Sequence, residues 1–431
     1  MPAAANMINA FDPNTSAALP PAEAALVERR QRLLGPAYRL FYEHPLHAVR
    51  GEGVWLYDET GRRYLDMYNN VPVVGHCHPR VVEAIARQAA VLNTHTRYLH
   101  GAILDYAEQL LATLPPALSQ IMFTCTGSEA NDLALRVAKA HTGGTGFIVT
   151  ANAYHGVTDA VSGLSPSLGP AAAPAENVFV IPAPTGQAQT GETMARDVDA
   201  ALGRMQARGI TPAAMIVDTI FSSDGVVADP PGFLRAAAER MRAAGGLFIA
   251  DEVQPGFART GAAMWGFQRH GLVPDLVTMG KPMGAGHPVA AMVARPELLL
   301  KFADMSRYFN TFGGNPVAIA AAQAVLDVIR DEDLLGNAAR VGAYLGQGLQ
   351  ARAARHPALG ALRGTGLFFG LDVRSPALAA RIVNQLREHG VLISASGPRG
   401  DVLKIRPPLP FGTAEADLFL AAFDEVLAGL A

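Results

Sequence analysis

Asp251 and Lys281 each close a short apolar run, residues 247–250 and 276–279 with one glycine between run and lysine. Runs of that length, bounded by charge and glycine, read as buried parallel strands. The acid and the amine then fall just beyond the carboxyl edge of a sheet, where open α/β folds bind their ligands. A lysine at such a mouth, ringed by Gly280, Gly284 and Gly286, loses ammonium character when water is excluded and can attack a carbonyl. The carbonyl cofactor that uses both groups is pyridoxal 5'-phosphate. Its aldehyde takes the lysine, and its ring becomes an electron sink when a buried carboxylate keeps the ring nitrogen protonated. The pair alone is a weak signal, because a lysine after an apolar run is more often a solvated strand end.

Two further stretches would meet such a cofactor at the same sheet edge. Thr126-Gly-Ser-Glu-Ala-Asn131 follows a strand-like run and opens a helix, which turns free N–H groups and the positive end of the helix dipole toward Gly127 and Ser128. The same residue types also make an ordinary helix cap. Tyr154-His-Gly156 comes just past the next strand-like run. A tyrosine there either lies on an aromatic ring, with Gly156 permitting close backbone approach, or packs in a loop. The run Gly143-Gly-Thr-Gly146 precedes a strand instead of following it and fails as a dinucleotide fingerprint. His76-Cys77-His78 has zinc-ligand residue types, but neighbours in sequence cannot easily all face one tetrahedral ion and no further cluster completes the set. It reads as a turn before a helix over 81–90, and no metal is expected.

The elements that must position these residues alternate along the chain. Residues 121–124, 146–150, 178–181, 214–217, 247–250 and 276–279 read as strands separated by helix-length segments, which predicts an α/β fold around a mainly parallel, wound sheet with right-handed connections. Upstream, 23–34 reads as a helix and 51–61 as a hairpin turning at 58–61. Downstream of Thr311-Phe-Gly-Gly-Asn-Pro316, 317–330 and 337–353 read as helices, and 364–373, 391–394 and 402–405 as strands of a smaller α+β unit. The predicted regions are an N-terminal arm and hairpin over 1–58, a large domain over 59–316 and a small C-terminal domain over 317–431.

At 431 residues, 50% hydrophobic and 17% charged, the chain is globular and long enough for that division. A net charge of −3 without a basic run gives no reason to expect nucleic acid or an anionic membrane as partner. No apolar run has membrane-spanning length, the first residues lack the pattern of a secretory leader, and Cys77 and Cys125 alone suit a reducing compartment. A cytoplasmic enzyme is the expectation.

Taken in order, GSEAN at 127–131, YHG at 154–156, DEVQ-G-F-R-G from 251, GK at 280–281 and NTFGGNP at 310–316 resemble the class III (omega) aminotransferases, within fold-type I of the pyridoxal phosphate enzymes. The resemblance runs from near the first helix to the C-terminus. It implies a seven-stranded sheet in the large domain, Lys281 as the catalytic Schiff-base lysine and proton shuttle, Asp251 on the pyridine nitrogen and Gln254 near the ring hydroxyl. Tyr154 would cover one ring face with Val253 behind the other. Gly127 and Ser128 would hold the phosphate, joined by Thr311 of the partner subunit, so that the site is composite and the enzyme a homodimer or higher even oligomer. Arg406, in Lys404-Ile-Arg-Pro-Pro-Leu409, matches the arginine that takes a substrate carboxylate, for which a planar fork is suited; a solvent-facing arginine is the alternative. Residues 68–71 with Tyr68, Phe221, Arg259 and, across the interface, Phe312 would wall the substrate pocket. Many relatives carry a glutamate near the start of the loop after the fourth strand, where this chain has Asp218-Thr-Ile-Phe-Ser-Ser-Asp-Gly225.

The activity so implied moves an amino group from a small-molecule amine or amino acid to an oxo-acid such as pyruvate or glyoxylate, by a ping-pong scheme. NNVPVVGHCHP, NTHTRYLH, MGKPMGAGHPVA and YFNTFGGNP are also similar to the branch that contains ethanolamine-phosphate phospho-lyases, which eliminate phosphate instead. Lys281 suits both chemistries; Arg406 favours a carboxylate-bearing partner. A non-catalytic binding module would tolerate loss of the lysine or the aspartate, and both are present.

Overall fold

In the computed structural model, which describes residues 7 and 9–430, the N-terminal alternation forms β1 (Ala48–Glu52), β2 (Trp55–Asp58) and β3 (Arg63–Asp66). Asp58 fixes the turn between the last two by accepting from the amides of Thr60 and Arg62 at 2.9 and 3.0 Å, as short acidic side chains do in turns. Residues 1–6 and 8 of the expected arm lie outside the described residues. The first α-helix is Pro21–Leu34.

The alternating apolar runs make β4 (Gln120–Thr124), β5 (Gly146–Thr150), β6 (Val178–Ile181), β7 (Pro212–Asp218), β8 (Leu247–Asp251), β9 (Leu276–Met279) and β10 (Ala290–Ala294). They form one seven-stranded sheet in the order β4-β10-β9-β8-β7-β5-β6. From β9 to β6 every pairing is parallel, whereas β10 runs antiparallel to both β4 and β9. No crossover helix separates β10 from β9; a reversed strand needs only a short connection, which is why the helix-length spacing used to find the others passes over it. Along β8, Phe248 and Ala250 enter one hydrophobic layer while Leu247 and Ile249 enter the other. Both faces of the sheet are therefore covered, as a parallel sheet requires.

Helices Pro316–Asp331 and Leu334–Arg355 lead to β11 (Leu359–Thr365), β12 (Phe368–Val373), β13 (Val391–Leu392), β14 (Ser394–Ser396) and β15 (Val402–Ile405). Two expectations are corrected here. The single strand expected over 364–373 is a hairpin, because Gly366 adopts φ 56° and turns the chain between β11 and β12. The strand expected over 391–394 divides at Ile393: β13 pairs in parallel with β3, and β14 joins the antiparallel sheet β11-β12-β15-β14. The N-terminal hairpin and the C-terminal region thus share a sheet.

His76-Cys77-His78 is a turn whose imidazoles diverge, His76 Nε2 to Asp66 Oδ2 at 2.7 Å and His78 Nε2 to Glu332 Oε1 at 3.1 Å. Among the described residues no group of metal-ligating side chains gathers, and no helix is long and apolar enough to cross a membrane.

Candidate active site

The helix Gly127–Thr142 opens on a closed capping box. Thr126 Oγ1 accepts from the Glu129 amide at 3.1 Å, and the Glu129 carboxylate accepts from the amides of Cys125 and Thr126 at 2.7 and 3.2 Å. The next amides, of Gly127 and Ser128, have no intrahelical acceptor and line a cavity of about 310 Å³. Glycine is required at this rim. A Cβ on Gly127 would stand 2.9 Å from a Val253 methyl, and one on Gly156, whose φ is 138°, would fall on Ser128. A cradle of bare amides at a helix N-terminus is an anion site.

Tyr154, Asp251, Val253, Gln254 and Lys281 line the same cavity. The buried Asp251 carboxylate accepts from His155 Nδ1 at 2.7 Å and Asn131 Nδ2 at 3.0 Å on one oxygen, and from the Val253 amide at 3.1 Å on the other. Asn131 is itself fixed by donating to the His155 carbonyl at 2.7 Å and accepting from Thr278 Oγ1 at 2.5 Å. A carboxylate offers about four lone-pair positions, so one remains for a protonated ring nitrogen. Asn131, His155 and Thr278 were not assigned from sequence, although the first two sit inside the motifs that were. Thr278 is the polar residue in Leu276-Val-Thr-Met279, an interruption that is the signal for it.

Lys281 begins a tight turn over Lys281–Gly284 with a strained φ of 26°. Burial pushes its ammonium down to about 8, and the Arg406 charge adds to the effect against Asp251 and Asp218. An anion cradle, a fixed buried carboxylate and a lysine near neutrality around one cavity fit pyridoxal 5'-phosphate.

On the substrate side Arg406 is buried, which excludes the solvent-facing alternative. Its guanidinium lies 4.7 Å from the Tyr68 ring centroid, and Nη1 donates to Gln254 Oε1 at 2.7 Å. Gln254 Oε1 also accepts from Asn70 Nδ2 at 2.8 Å, and Val71 lines the cavity. Arg259 is buried behind this group, donating to the carbonyls of Leu367 and Pro407. Burial, then Arg406, pushes it down to about 9. Phe221 does not line this cavity. The turn after β7 gives it φ 50° and sends its ring into the core, 5.6 Å from that of Phe233. Thr311 and Phe312 lie on an exposed loop outside the cavity of a single chain.

The loop after β7 makes its own polar network. Asp218 accepts from the amides of Ile220 and Ser222 at 3.1 and 3.0 Å and from the Ser222 hydroxyl. Asp224 accepts from Thr150 Oγ1 at 2.7 Å and the Asn152 amide at 2.9 Å. Burial raises both carboxyls, Asp224 to about 6.

Comparison with known proteins places these features in context. The Aminotransferase class-III family profile matches residues 41–427. An alanine--glyoxylate aminotransferase 2-like protein of Drosophila melanogaster is 39% identical over 427 residues, 93% of this chain and 86% of its own length. A phospholyase from Arthrobacter, solved in complex with phosphoethanolamine, superimposes with a TM-score of 0.91 at 44% identity, covering 94% of this chain and 100% of its own. An amine transaminase from an uncultivated Pseudomonas species, solved with pyridoxal phosphate bound, superimposes with a TM-score of 0.82 at 29% identity, covering 90% and 96%.

Proposed function

The chain belongs to the class III aminotransferases, pyridoxal phosphate-dependent enzymes, and from that premise we propose that it moves an amino group from a small amine or amino acid to an oxo-acid such as glyoxylate or pyruvate. When bound, the cofactor supplies an electrophilic carbon for the amine and a ring that accepts the electron pair released at the substrate Cα. Gly127 and Ser128 hold its phosphate, joined by Thr311 of the partner subunit in a homodimer. Asp251, aimed by His155 and Asn131, keeps a proton on the ring nitrogen. Tyr154 and Val253 bound the ring faces. Lys281 takes the proton from Cα of the amine donor in the first half-reaction and gives one to Cα of the new amino acid in the second, acting as base and acid in turn. Arg406 receives the carboxylate of the amino or oxo-acid.

The observation that supports this reading is the placement of Lys281 in one cavity with Asp251 and the Gly127–Ser128 cradle, where its surroundings push its ammonium down. Holoenzyme given L-alanine and glyoxylate should form pyruvate and glycine with ping-pong kinetics. Lys281→Ala should lose the visible band of the lysine-bound cofactor and at least about a thousandfold in rate. A wild-type cofactor spectrum indifferent to every amine tried refutes the reading.

A second reading, elimination from a phosphorylated amino alcohol, is favoured by one observation: a further buried lysine, Lys404, stands beside Arg406. Here Lys281 again takes the Cα proton, the C–O bond breaks with its electron pair leaving on phosphate, and water then releases ammonia and an aldehyde. Release of phosphate from phosphoethanolamine without any oxo-acid distinguishes the two.

A further inference from the structure

Asp66 ends β3 with its side chain buried and both carboxylate oxygens in use. Oδ1 accepts from the amides of Tyr68 and Asn69 at 3.0 and 2.8 Å, and Oδ2 accepts from His76 Nε2 at 2.7 Å. An ionised carboxylate can only accept, which assigns the proton to Nε2. His76 is held in its turn by the N-terminal hairpin. Its amide donates to the Gly53 carbonyl at 2.7 Å, and its carbonyl accepts from the Gly53 amide at 3.1 Å. The imidazole lies against bare Gly51, where an added Cβ would stand 3.0 Å from His76 Cγ.

What Asp66 holds is the start of the loop that frames Arg406. The Met67 carbonyl accepts from the Arg406 amide at 2.8 Å, and the Tyr68 ring lies against the guanidinium. Asn70 Nδ2 donates at 2.8 Å to the same Gln254 oxygen that takes Arg406 Nη1 at 2.7 Å. Three consecutive-loop contacts therefore set the backbone, the face and the tip of one arginine. Charge follows the same route: burial pushes the Arg406 guanidinium down, and Tyr68 and Asp66 act against it. Neither Asp66 nor His76 lines the cavity, so any effect of the pair on substrate passes through this loop. A buried carboxylate that loses one of its donors is left with an unmet acceptor, and the amides it organises are those of Tyr68 and Asn69.

We propose that His76 and Asp66 are positioning residues: the pair fixes the 68–71 loop so that Arg406 meets a substrate carboxylate at the angle its planar fork requires. This role rests on the amine-accepting reading above, with Arg406 as the carboxylate receptor, and it makes selectivity for a carboxylate-bearing amine depend on a hydrogen bond outside the cavity.

The test gives holoenzyme L-alanine or isopropylamine, in which a methyl replaces the carboxylate, and reads half-saturation from the cofactor's visible spectrum. Wild type should need at least about tenfold less alanine than isopropylamine, the scale of a charge-assisted contact. His76→Gln puts an amide donor where Nε2 stands and should keep that ratio within about twofold. His76→Asn puts the donor at the Nδ1 position instead, and the ratio should fall below about threefold while isopropylamine alone shifts less than about twofold. In an Arg406→Met background the Asn substitution should move the ratio no further, because the pair acts through the guanidinium. An equal shift for both amines in His76→Asn, or an unchanged ratio, overturns the positioning role. So does a wild type without alanine preference, a result that needs no variant to fold. If that wild type still responds to isopropylamine, the positioning role alone fails; if its spectrum answers no amine, the functional reading fails with it.

Discussion

Lys281 suits the proposed chemistry because its surroundings disfavour its charge: burial first, then the cationic Arg406, hold the ammonium down to about 8. A lowered value means that the neutral, nucleophilic amine accumulates as pH climbs toward 8 and is nearly complete above it. The apoenzyme should therefore take up pyridoxal phosphate at a rate that rises about tenfold per pH unit below the midpoint and levels above it. Stopped-flow absorbance across that range checks this, and a profile still climbing steeply at about pH 10 would show an unperturbed lysine. Lys281 and Asp251 were legible in sequence because each ends an apolar run. The side chains that aim Asp251 were not, since His155 and Asn131, which donate to it, and Thr278, which donates to Asn131, come from three different parts of the chain.

At the scale of elements, the site is a set of strand-to-helix junctions at one sheet edge, and its tightest point is where the loop after β5 crosses the start of the helix Gly127–Thr142. Gly156 has φ 138° there, and any Cβ would meet Ser128. Gly156→Ala should cost about 1–3 kcal/mol, through strain and overpacking. The loss should appear chiefly as weaker cofactor binding, because the displaced group is the phosphate cradle. Fluorescence titration of apoenzyme with pyridoxal phosphate measures it, and an unchanged dissociation constant would place the cradle elsewhere. The helix start at 126–131 and the parallel strands were legible from local spacing; the capping box, β10, and the division of 391–396 between two sheets were found only in the structure.

At the scale of the whole molecule, Leu99 is 100% exposed, Tyr98 67% and Leu104 60%, along a groove of about 470 Å³ between the 92–104 and 308–316 segments, and Phe312 in the second segment is 69% exposed. Large apolar side chains exposed near one another are a mark of protein interfaces. Thr311 lies on the same loop as Phe312. Sedimentation velocity should give twice the 45.3 kDa chain mass, and Leu99→Glu should shift the population to monomer while loosening the cofactor, as the proposed contact from Thr311 of the partner subunit requires. A monomer that binds pyridoxal phosphate at full strength would remove Thr311 from the site.

Sequence by itself determined what depends on near neighbours: the apolar runs that become strands, the acid and amine at their ends, the glycines and cap residues that bare an anion cradle. Tertiary structure alone decided what depends on distant segments meeting. It turned Phe221 into the core, buried Arg406 against Tyr68, and set Lys404 against the same Phe368 ring as Arg406. The physical reason is that a backbone conformation is settled largely within a few residues, whereas the burial and pairing of a charge depend on everything that packs around it.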